Sequence, residues 1–94
     1  MKLNTSNFTL WNLDDEDEVD GFLGAYPTSS GRRLANLLGL SGIGSSKGAN
    51  GLKNYAWNKR TAMELRKRGD IEGAIRYEEI CERIYHGLPE PLKW

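Results

Sequence analysis

Little in this chain is equipped to hold a metal, form a disulfide or attack a substrate. Its 94 residues include one cysteine, Cys81, and one histidine, His86. A lone cysteine excludes an intramolecular disulfide and favours a reducing compartment, so a cytoplasmic location is expected. No Cys/His cluster has zinc spacing. On a helix, Cys81 and His86 point in different directions, which argues against a thiol–imidazole dyad. His86 instead sits at a helix end, where a proton on it complements the dipole. No carboxylate stands isolated in an apolar stretch that would tune it for acid–base work. The expectation is therefore no catalytic residue, no metal, no cofactor and no enzyme. No apolar run approaches the roughly 20 residues that a membrane span needs, so no membrane association is expected. The start of the chain has no apolar core after a basic residue, so no secretory signal is expected either. No internal repeat of useful length is present.

Acid is nearly missing from the middle of the chain. Residues 30–68 carry nine bases and one acid, Glu64, a net +8. Residues 1–29 carry six acids and one base, a net −5, and residues 69–94 carry six acids and three bases, a net −3. The total is zero. A basic middle between acidic ends describes either a surface for a charged partner or one that pairs with its own flanks. The apolar fraction is 38% and the charged fraction 28%, polar for a globular protein but too apolar for a disordered one. One small domain with a radius of gyration of roughly 12 Å is expected.

Phe8 and Leu10 alternate with polar residues, which hints at an extended start. Six acids then crowd into residues 14–20 (Asp14, Asp15, Glu16, Asp17, Glu18, Asp20). Their mutual repulsion predicts a solvated or docking arm rather than a helix. Pro27 holds Tyr26 extended. Ser30 and its neighbours start a short helix from Arg33 to Leu40, with Leu34, Leu37 and Leu38 inward and Gly39 and Gly42 ending it. Ser45 or Ser46 is expected to cap the next helix, read from about Gly48 to Arg68. Its apolar spacing is Leu52, Tyr55, Ala56, Ala62 and Met63. Gly69 marks its C-terminus, and Asp70 caps another helix. The inner face of that helix is read as Ile71, Ala74, Ile75, Cys81, Ile84 and Leu88. Gly87 and Pro89 end it, and Leu92 and Trp94 fold back over the core. The predicted fold is all-α: a small three-helix domain over residues 28–94 with a helical hairpin, preceded by an acidic, partly extended arm over 1–27.

Two segments are similar to known families. Ala62, Leu65, Gly69, Asp70, Ala74, Ile75, Tyr77 and Cys81 resemble the helical hairpin of one tetratricopeptide repeat. Small residues let the two helices approach and Gly-Asp makes the turn. The likeness covers residues 57–85, about a third of the chain, with Thr61 and Glu78 where that repeat prefers large apolar residues. It implies a protein-interaction surface by analogy of fold. Residues 38–44 (Leu-Gly-Leu-Ser-Gly-Ile-Gly) are similar to the hairpin of helix-hairpin-helix modules. That likeness implies backbone N–H groups facing a nucleic-acid phosphate, with Lys47 and Lys53 adding charge. Ala49 falls one residue later than that family's spacing.

Lys53, Trp57, Arg60, Glu64 and Lys67 share one helical face, with Lys59 and Arg66 beside it. A cationic face carrying an aromatic suits an acidic protein or a phosphate backbone. Two simpler readings stand beside it: Trp57 lies in the core, or the 14–20 acids lie across the face. The candidate binding residues are thus Arg32, Arg33, Lys47, Lys53, Trp57, Lys59, Arg60 and Lys67, with the six acids as a docking element. Trp11, Phe22, Trp57 and Trp94 are read as exposed aromatics of the kind that dominate binding hot spots. The sequence points first to a non-enzymatic interaction module, an adaptor or inhibitor of a larger protein machine. In size and style it resembles small accessory proteins of phages and mobile elements. A nucleic-acid-binding accessory protein using residues 32–68 is the alternative. So small a core also points to self-association or a protein partner.

Overall fold

The structure is a computed structural model that describes residues 2–94. It is all-helical, with four helices among the described residues rather than three: α1 (Glu16–Ala25), α2 (Gly31–Leu37), α3 (Ser45–Lys67) and α4 (Ile71–Gly87). A 3-10 turn, Glu90–Leu92, follows.

The additional helix, α1, starts inside the acidic run. Asp15 caps it, its Oδ1 accepting from the backbone N–H groups of Asp17 (2.9 Å) and Glu18 (3.3 Å). Glu16, Asp17 and Glu18 occupy the first turn, where negative charge complements the positive end of the helix dipole. The expected repulsion is outweighed. Exposed like-charge pairs cost a few tenths of a kcal/mol each, whereas burying Val19, Phe22 and Leu23 contributes about 1.5–3 kcal/mol per side chain. Phe22 is fully buried rather than exposed, with Trp11 edge-on to its ring at 5.3 Å. Leu13, Val19, Phe22 and Leu23 share one core with Leu34, Leu52, Cys81 and Leu92, so the core crosses the boundary expected at residues 27/28.

α2 begins two residues earlier than expected, capped by the Ser30 Oγ accepting from Arg33 N–H. It ends in a Schellman turn: Leu40 N–H donates to Ala35 O (2.8 Å) and Gly39 N–H to Asn36 O (3.1 Å). Gly39 has φ +78, and a Cβ there would lie 2.1 Å from the Asn7 carbonyl oxygen. Glycine thus lets the N-terminal segment lie directly on this turn. One antiparallel bridge, Asn4 with Ser41, pins the segment down.

α3 is the spine, and α1, α2 and α4 each pack against it. It starts at Ser45, with Gly44 rather than a serine side chain at its N-cap. Its 23 residues span about 35 Å, which explains an overall extent of 45 × 24 × 20 Å and a radius of gyration of 13.3 Å. At Gly69 a second Schellman turn reverses the chain, with Asp70 N–H donating to Leu65 O at 2.9 Å. Asp70 then caps α4, accepting from Gly73 N–H at 3.0 Å. Of the expected inner face of α4, Ala74, Cys81 and Leu88 are buried, but Ile71 and Ile75 are exposed. Apart from α3, no helix makes an extensive contact with α4 that would cover them.

Candidate interaction face

α1, together with Asp14 just before its cap, packs along α3 and pairs with cations there. Lys59 Nζ is 3.2 Å from Asp14 Oδ1, Arg60 Nε is 3.8 Å from Asp20 Oδ1, and Lys67 pairs with Glu16. The Glu16 carboxylate raises the Lys67 pKa through a hydrogen bond and its charge. Three of the eight expected binding residues are therefore engaged within the molecule. Asp15, the cap, and Glu18, which accepts from Asn12 N–H at 3.0 Å, serve the fold as well. Asp17 is exposed in the first turn.

Asp14 is the hub of this seam. It accepts from the Tyr55 hydroxyl and, at 2.9 Å, from Trp94 Nε1. Desolvation alone would raise its pKa. The Tyr55, Trp94 and Lys59 hydrogen bonds and the Lys59 charge outweigh that and hold it below the usual aspartate value. Burial, followed by the hydrogen bond to the Asp14 carboxylate, pushes the Tyr55 phenol well above its ordinary value. Trp94 stands edge-on to Tyr55 (4.7 Å) and Tyr85 (4.8 Å), and the Tyr85 hydroxyl donates to the Trp94 backbone oxygen. Every donor in this cluster has a partner inside it, which makes it a structural clasp. No local pattern marks it, because Tyr55 and Trp94 lie 41 and 80 residues from Asp14.

The first half of α3 is left open. Arg32, Arg33, Lys47 and Lys53 make no ion pair with a described residue. They gather around the first half of α3, because the start of α2 abuts it: a Cβ on Gly31 would meet the Asn50 side chain. No acid occurs in α3 before Glu64. Trp57 is 50% exposed, so it belongs to the surface. The Arg60 guanidinium sits 5.9 Å from its ring centroid, within cation–π range. A cleft of about 390 Å³ runs from Trp57 and Lys53 to Leu23, Tyr26 and Pro27. A second, of about 490 Å³, lies between the glycine-bearing turns of α3 and the end of α4. Trp11 and Trp94, expected as exposed, are half-buried against the core.

Cys81 is buried and donates to the Tyr55 carbonyl oxygen at 3.7 Å. Burial, with the Asp14 and Glu78 charges adding and Lys59 opposing, pushes its thiol up to about 11. His86 is exposed in the last turn of α4, 3.9 Å from Glu82. Among the described residues no group of three or more His, Cys, Asp or Glu is placed to hold a metal ion, and no helix is long and apolar enough to cross a membrane. No family model, curated protein or solved structure matches the chain.

Proposed function

We propose that this protein is a non-enzymatic interaction module that binds a larger protein through the outer face of α3. One observation carries the reading: Trp57 stands half exposed on α3, between the free Lys53 and Arg60, whose guanidinium lies against its ring while pairing with Asp20. Tryptophan and arginine dominate binding hot spots because they combine large apolar area with directed polar contact. A solvated helix face has no need of an exposed indole lining a cleft. The test is capture of partners from a lysate by tagged wild-type and Trp57→Ala proteins. A specific protein retained by the wild type and reduced about tenfold by the variant is expected. Equal retention by both overturns the reading.

The ring of unpaired cations supports a second reading, nucleic-acid binding through Arg32, Arg33, Lys47 and Lys53. It requires affinity for duplex DNA or single-stranded RNA that falls steeply with salt and is lost when Lys47 and Lys53 are reversed to Glu. Anisotropy of labelled oligonucleotides at two salt concentrations measures both.

A further inference from the structure

The larger cleft carries chemistry that identifies the partner more closely. Its rim holds two cations from different helices, Lys47 of α3 and Arg83 of α4. Neither makes an ion pair with a described residue, and no carboxylate lines the cleft. Its floor is apolar, made by Ile84, Leu88 and Pro89, and the Asn50 amide stands at the edge. The α3 wall is low because glycine occupies positions 48 and 51. A Cβ at either would come within 2.8 Å of Leu92 or 2.7 Å of Leu88, so these glycines let the tail pack close and leave backbone along the cleft.

We propose that this cleft receives an acidic segment of the protein partner. An aspartate or glutamate carboxylate sits between Lys47 and Arg83, and an adjacent apolar side chain lies on Ile84, Leu88 and Pro89. Complementarity of charge and surface selects this occupant. A purely apolar segment would cover two cations without satisfying them, which costs more than the contact returns. A nucleic-acid backbone would satisfy the cations but has nothing to lay on the apolar floor. A volume of about 490 Å³ takes a few side chains of an extended peptide. The inference rests on the reading of the protein as an interaction module.

The test is a titration of the isotope-labelled full chain, followed by amide chemical shifts. The probes are a blocked hexapeptide alternating Glu and Leu, its Lys/Leu counterpart and a short DNA duplex. The Glu/Leu peptide is expected to shift the amides of Lys47, Asn50, Ile84 and Gly87. The double variant K47E/R83E is expected to keep the folded spectrum and bind the peptide about tenfold more weakly. No localised shift at millimolar peptide, an equal response to the Lys/Leu peptide, or a response to DNA alone overturns the proposal. Repeating the capture experiment with K47E/R83E separates the two readings. A partner lost by Trp57→Ala but held by K47E/R83E leaves the module standing and removes this docking site.

Discussion

Asp14 bears more of the molecule's polar connectivity than its place in an acidic run suggests. Replacing it with Asn removes the charge from a carboxylate that three donors share, one of them the phenol of buried Tyr55. A loss of about 1–2 kcal/mol at neutral pH is expected. The pH dependence has a definite sign. The folded pKa lies below the unfolded one, so the contribution is complete above the ordinary aspartate range and disappears as pH falls through the folded value. Thermal melts from about pH 7 to pH 2 should show a shallower acid limb for Asp14→Asn than for the wild type. A parallel limb counts against the clasp. Cys81 offers a second check. Buried, with its thiol at about 11, it should resist a thiol reagent at mildly alkaline pH until denaturant unfolds the chain. Rapid labelling of the folded protein would contradict this packing. The burial of Cys81 was legible from its place on the apolar face of α4, but the role of Asp14 was not, because the sequence marked it only as one acid among six, and it left open whether Trp57 was core or surface.

Local punctuation, by contrast, was read well. Gly39, Gly69 and Asp70 fulfil their expected roles because helix caps depend on two or three neighbouring residues. Both glycines occupy the left-handed position of the same turn motif, yet their surroundings differ. Nothing lies within 4 Å of a Cβ placed on Gly69, so Gly69→Ala should cost only the backbone strain, about 1–2 kcal/mol. Gly39→Ala adds a collision with the Asn7 backbone and should cost clearly more. Urea unfolding of the two variants measures the difference, and equal midpoints would show that the N-terminal segment does not lie on the turn. The reading of α1 failed because a charge-counting rule took no account of where the acids stand relative to a helix end. The reading of Ile71 and Ile75 failed because periodicity identifies an apolar flank but not whether a neighbour covers it.

The charge blocks resolve into a division of labour along α3. Lys59, Arg60 and Lys67 of its second half are held by Asp14, Asp20 and Glu16 of the chain itself, and Lys47 and Lys53 of its first half are left open. Exposed ion pairs are weak and screened by salt, so the seam contributes orientation more than stability. Neutralising it with the triple variant D14N/E16Q/D20N takes the net charge from zero to +3 and frees Lys59, Arg60 and Lys67. Tighter low-salt binding to duplex DNA than that of the wild type is expected, read by anisotropy. No change would mean that α1 does not mask these cations. Deleting residues 1–20 cannot pose the same question, because Leu13 and Val19 belong to the core.

The bond between Trp94 and Asp14 joins segments 80 residues apart. It closes the polypeptide into a ring without a covalent link. Peeling the tail away strips Tyr55 and Tyr85 of their aromatic neighbour and uncovers Leu88 and Leu92 on the glycine face of α3. Lifting the first segment breaks the same carboxylate contacts from the other end. Fraying at either end is therefore one event rather than two. The amides of α1 and of the tail should exchange with solvent at a common rate, slower than segments so near the ends of a small helical chain ordinarily do.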